Sequence, residues 1–231
     1  MAIIDFFDRG LRINPKGTAY IQDGRHYGFQ EVGNLSIQIA NALLAAGFSK
    51  ESKGAVWAAN DVTAWTCTLG LWRANMCWIP VGARNSAADN QQVLDSFDCE
   101  ILFFQKEFAP AIAEIQKCLP KIKRWVCVDA GIEVLPGAID LQSWVNDQPT
   151  TKPTVSVDMD DVIALMPTGG TTGAPKGVMN THRSVQTFCA HFLISCSYDD
   201  EHRPVNLAAA PMTHTAGLLS LPCTSRGGTV V

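Results

Sequence analysis

No run of basic residues longer than Lys121-Ile122-Lys123-Arg124 occurs in the 231 residues, and the formal net charge is −4. The chain therefore lacks the electrostatic footprint of a nucleic-acid binder, and an anionic ligand must be met by a local site. Its eight cysteines (67, 77, 99, 118, 127, 189, 196, 223) include no Cys-x-x-Cys pair and no Cys/His cluster at ligand spacing. That removes the zinc and redox motifs, so no metal site is expected and the thiols read as reduced core residues. No stretch approaches a membrane span, and Met1 to Arg9 has no basic segment leading into a long apolar one, which makes the cytoplasm the default location. Internal repeats and low-complexity tracts are missing too.

What is present is a 47% hydrophobic chain, enough to bury a sizeable core. Thr18–Gln22 and His26–Phe29 flank Asp23-Gly24, a pair that tolerates positive φ and predicts a hairpin. Between Gln30 and Ala46, the residues Val32, Leu35, Ile39, Leu43 and Ala46 recur at helical spacing, with Gly47 as the closing residue. Short apolar runs then alternate with helical patterns. Strands are expected at Gly54–Ala58, Cys77–Val81, Ile101–Phe104 and Trp125–Val128. Helices are expected from the Asn60-Asp61 cap to about Ala74, from Asn85-Ser86 to Phe97, and over Pro110–Cys118. Strands that are apolar throughout, rather than at every second residue, predict an α/β fold with mostly parallel sheets flanked by helices.

Residues 146–161 are polar and carry two prolines, which predicts a connector between a first α/β subdomain, 1–155, and the start of a second, 156–231. Beyond it come a strand at Val162–Met166, a pairing back at Val178-Met179, and a helix from His182 to Cys196 with one apolar face. A strand over Asn206–Ala210 and the opening of another at Val230-Val231 follow.

The chemistry is carried by Thr168-Gly169-Gly170-Thr171-Thr172-Gly173-Ala174-Pro175-Lys176-Gly177. Glycines let backbone N–H groups converge on an anion, threonines add hydroxyls, and Lys176 adds charge, so this is a phosphate-binding loop. Its plainer alternative is a flexible surface loop with a solvated lysine. A Walker loop is excluded: Ala174 and Pro175 separate Gly173 from Lys176, and Gly177 stands where the metal-binding hydroxyl belongs. There is no Gly-x-Gly-x-x-Gly turn either. His214 lies just past a predicted strand, where α/β sheets bind ligands; it lines a pocket or is a buried structural histidine. His182 fits a helix start better than a catalyst, and His26, His191 and His202 carry no assignment.

The run from Thr168 to Val178, continuing Met-Asn-Thr-His-Arg at 179–183, resembles the signature of the AMP-forming acyl-CoA synthetases, a group that also holds amino-acid adenylation domains and luciferases. Ala210-Pro211-Met212-Thr213-His214-Thr215-Ala216-Gly217 resembles the family's next motif. Asn14-Pro15, Tyr27 to Glu31, Asn60, Leu69 to Asn75 and Ile79-Pro80-Val81 follow its N-terminal order. The chain departs from the pattern at Pro167, where an aromatic is usual, and at Gly169, where a serine is; the lost hydroxyl is worth about 1 kcal/mol.

The resemblance implies the N-terminal, truncated part of an adenylate-forming enzyme similar to long-chain fatty-acid–CoA ligases. In this group a carboxylic acid is activated with ATP and Mg2+ as an acyl-adenylate and passed to CoA, or in some relatives to a carrier-protein thiol. It also implies that the adenine, ribose and catalytic-lysine motifs lie beyond Val231, leaving these residues inactive alone. Thr168, Gly169, Gly170, Thr171, Thr172, Gly173 and Lys176 become the triphosphate cradle, and Thr172 and His214 the groups nearest the reacting centre. A non-catalytic nucleotide-binding or interaction fragment is the rival reading. An uncovered sheet edge predicts self-association, for instance as a homodimer, or disorder after about Asn206.

Overall fold

A computed structural model describes residues 1–129, 135–168, 175–196 and 202–231. In chain order the elements are α1 (Ile4–Ile13), β1 (Thr18–Gln22), β2 (Arg25–Gly28), α2 (Phe29–Ala45), β3 (Lys53–Trp57), α3 (Val62–Arg73), β4 (Cys77–Pro80), α4 (Ala87–Ser96), β5 (Ile101–Phe104), α5 (Ala109–Ile115), β6 (Arg124–Cys127), β7 (Ala138–Asp140), α6 (Leu141–Val145), β8 (Val162–Pro167), β9 (Gly177–Thr181), α7 (His182–Ser195), β10 (Val205–Asn206), α8 (Thr215–Ser225) and β11 (Thr229–Val230). The larger sheet has seven strands in the order β7-β6-β5-β3-β4-β8-β9, parallel except for the β8–β9 pair. The smaller has the order β10-β11-β1-β2.

The parallel strands β3, β4 and β5 are buried almost throughout, which is what their unbroken apolar sequences require. Asp23 and Gly24 take φ of 50° and 77° at the β1–β2 turn, and Gly47 takes 85° after α2, as their residue types demand. Asp61 caps α3 by accepting from the Ala64 N–H at 2.7 Å. On α3, Trp65 and Trp72 pack edge-to-face against each other and against Trp78 of β4, with ring centroids 5.5 to 6.1 Å apart. This tryptophan cluster is centred on one helix. No disulfide forms among the described residues, and burial pushes the thiols of Cys77, Cys99, Cys189 and Cys223 up to about 12.

Strand pairing crosses the polar stretch 146–161: β4 on one side joins β8 on the other, with Trp78 opposite Ala164. The stretch is also fastened down, since Asn41 donates to the Pro149 and Thr151 carbonyls at 2.8 and 3.0 Å. Lys152 reaches Asp8 at 2.7 Å.

Three expectations are corrected. The strand expected over Asn206–Ala210 is only Val205–Asn206, because its single partner, β11, offers two residues. The helix expected to Cys118 leaves α-geometry after Ile115 and ends as a 3-10 turn. Of the two alternatives expected after Asn206, disorder is the one corrected: α8 buries Leu221 and Cys223, and β11 lies between β10 and β1. Helices α1, α6 and α8 had no counterpart in the sequence reading.

Candidate functional site

The glycine-rich loop joins the two strands of an antiparallel hairpin rather than a strand to a helix. Pairing runs from Val162 opposite Thr181 to Pro167 opposite Gly177. The Thr168 N–H then donates to the Lys176 carbonyl at 2.8 Å, and the Thr168 hydroxyl reaches the same oxygen at 3.3 Å. Thr168 and Lys176 therefore form the neck of the loop. Lys176 is exposed, its backbone oxygen engaged and its ammonium group free of any ion pair among the described residues. The assignments to Gly169, Gly170, Thr171, Thr172 and Gly173 lie outside the described residues.

The hairpin is anchored at its far end. Thr181 caps α7 by accepting from the Ser184 N–H at 3.2 Å, while its own N–H donates to the Ser184 hydroxyl at 2.9 Å. His182, fully buried, accepts from the Ile3 N–H at Nδ1 (3.0 Å) and donates from Nε2 to the Asn75 amide oxygen (2.8 Å). Burial lowers its pKa; Asp161 opposes the shift and the N-terminal ammonium adds to it. Asn75, in the left-handed region at φ 56°, donates in turn to the Ser156 carbonyl and the Asp161 carboxylate at 3.0 and 2.8 Å. His182 is a neutral structural histidine, as its place at a helix start suggested.

The neck opens onto a cavity of about 370 Å³ at the carboxyl ends of β4 and β8, lined by Pro80, Gly82, Asn85, Asp89, Gln92, Val93, Pro167, Thr168, Pro175 and His214. Thr168 and His214, which are distant in sequence, meet here. His214 is exposed, with Nδ1 3.0 Å from the Thr215 hydroxyl, so the buried structural alternative is excluded. It precedes α8 and does not end a strand, which corrects its expected setting. Gly217 is required in the first turn of α8, because an added Cβ would stand 2.2 Å from the Met212 carbonyl and 2.3 Å from the Trp65 ring.

Sequence reasoning missed the wall opposite the neck. The fully buried Asn90 donates to the Gly82 carbonyl at 3.0 Å and accepts from Asn85 at 3.0 Å, fixing the β4–α4 loop. Asn85 was legible only as part of a helix cap, and Asn90 carried no local signal. As ligand-holding chemistry, the cavity offers a threonine, an imidazole, two amides and a carboxylate. Among the described residues no three His, Cys, Asp or Glu side chains converge as a metal site. Among the described residues no helix is long and apolar enough to cross a membrane.

The chain is 28% identical over 227 residues to a feruloyl-CoA synthase from Amycolatopsis sp, covering 96% of this chain and 42% of that protein. It is 24% identical over 214 residues to the long-chain-fatty-acid–CoA ligase FadD13 of Mycobacterium tuberculosis, covering 90% of this chain and 40% of that one. Its fold matches the crystal structure of the anthranilate CoA ligase AuaEII in complex with anthranoyl-AMP, with a TM-score of 0.90 and 22% identity over all of this chain and 45% of that one. The chain thus spans less than half the length of these proteins. The profile of the family described as AMP-binding enzyme matches residues 7–231, and the chain belongs to that family.

Proposed function

We propose that the chain forms the phosphate-binding side of an ATP-dependent, AMP-forming acid–thiol ligase. A carboxylate oxygen of the acid attacks the α-phosphorus of ATP, the bond to pyrophosphate breaks, and an acyl-adenylate forms. A thiolate then attacks the acyl carbon, AMP leaves with the bonding pair, and the thiol proton goes to solvent. The observation that carries this reading is the meeting of the loop neck, Thr168, with His214 in one cavity at the carboxyl ends of parallel strands.

The loop glycines present backbone donors to the phosphates, Thr171 and Thr172 add hydroxyls, and the exposed Lys176 ammonium offsets charge as pyrophosphate departs. His214 lines the side where acid and adenylate meet. Mg2+ carried by the ATP phosphates would neutralise part of their charge. CoA as acceptor and a fatty acid as substrate are supported by the names of the relatives, and the cytoplasm is the proposed location. The decisive assay is carboxylate-dependent exchange of pyrophosphate into ATP by the product of the complete reading frame, with fatty, aryl and amino acids. Exchange with one class confirms the reading and names the acid; no exchange with any class refutes it.

A further inference from the structure

We infer that Asn60 is a positioning residue that sets the place of His214 in the cavity. Its side chain sits past the carboxyl end of β3 and bridges 150 residues of sequence. The amide oxygen accepts from the Met212 N–H at 2.8 Å, and the amide nitrogen donates to the Ala210 carbonyl at 3.2 Å. Both contacts are to backbone, so they fix the path of the chain rather than a rotamer. The held segment leads straight into His214, whose N–H donates to the Pro211 carbonyl at 3.1 Å, between the two clamped residues.

Asn60 is itself held by its neighbours. The Ala59 N–H donates to Gln105 at 2.7 Å, and Asp61 caps α3. Met212 and Thr213, between the clamp and His214, are buried, so the segment is held by packing as well as by the Asn60 amide. Asn60 is exposed and does not line the cavity that holds Thr168 and His214, so its two backbone hydrogen bonds are its link to that cavity. The inference rests on the proposed reaction for its catalytic consequence and on hydrogen bonds alone for its structural one.

The test compares Asn60→Ala and Asn60→Asp in the full chain. Asp keeps the acceptor for the Met212 N–H, and Ala removes it. Three readouts apply: hydrogen exchange at the Met212 amide, the NMR shift of the His214 imidazole, and kcat/KM for pyrophosphate exchange. The Ala variant is expected to lose about tenfold protection at Met212 and about tenfold in kcat/KM, with a displaced His214 signal and a slightly lowered melting temperature. The Asp variant is expected to recover most of all three. Wild-type values in Asn60→Ala, or an Asp variant no better than Ala, would overturn the inference. If wild type itself shows no exchange, the reaction is wrong, and the first two readouts still decide the clamp.

Discussion

His182 and Asn75, 107 positions apart, share one buried hydrogen bond of 2.8 Å that joins the start of α7 to the end of α3. The imidazole takes the Ile3 N–H on its other nitrogen, so N-terminus, core helix and loop-bearing hairpin meet at one ring. Protonation at Nδ1 would destroy that acceptor and place a cation at a helix N-terminus. His182 has a folded pKa below its ordinary 6.5, so between those two values the unfolded chain binds the extra proton. Stability is therefore complete above pH 6.5 and falls as the pH drops below it. Urea titrations between pH 7.5 and 5 should show this decline. His182→Phe should flatten it while costing about 1–3 kcal/mol at pH 7.5, from an unpaired Ile3 N–H and Asn75 oxygen. An identical pH slope in the variant would exclude His182 as the source.

Asp8 of α1 forms a buried, bidentate pair with Arg73 of α3 and a third bond to Lys152, while Arg73 also donates to the Ser36 hydroxyl at 2.7 Å. Burial pushes the Asp8 carboxyl up, but the two cations outweigh it and hold its pKa below 3.8. Its contribution is present above pH 3.8 and disappears as pH falls through the folded value. Arg73→Met should destabilise by about 3–5 kcal/mol in chemical denaturation, because a buried carboxylate loses its main partner. Adding Asp8→Asn should recover part of that loss; additive costs would show that the two residues are uncoupled.

Gly217→Ala should cost about 1–3 kcal/mol, since its new methyl would overlap both the Met212 carbonyl and the Trp65 ring. A melting temperature equal to wild type would mean that α8 slides freely over Trp65. The same variant should also move the His214 imidazole signal, because its helix begins one residue later.

Legibility followed the range of the interactions. Strands β3 to β6 and helices α2 to α4 announced themselves through local apolar spacing and caps such as Asp61 and Ser86. Helix α8 did not, because Ala216, Leu218, Leu221 and Cys223 are buried around most of its circumference and Pro222, a residue that disfavours helix, lies inside it, so no amphipathic period shows. Thr168, Lys176 and His214 were readable as types in a motif. Asn90 was not, and Asn60 was readable only as a helix-cap and motif residue, because the backbone partners of both lie at places that only the fold brings near.

The loop itself can be tested apart from turnover. The hairpin neck uses the Lys176 backbone oxygen, not its ammonium, so removing the side chain leaves the Thr168 hydrogen bond intact. Lys176→Ala with Thr172→Ala should therefore keep the circular dichroism and melting temperature of wild type. Affinity for ATP, measured by calorimetry, should weaken by about 10- to 100-fold through the loss of a charge-assisted contact and a hydroxyl. Salt supplies a control: wild-type affinity should fall with ionic strength more steeply than that of the variant, because one cation fewer faces the phosphates. Unchanged affinity and an unchanged salt slope would make Lys176 a solvated surface lysine and move the phosphate site elsewhere in the chain.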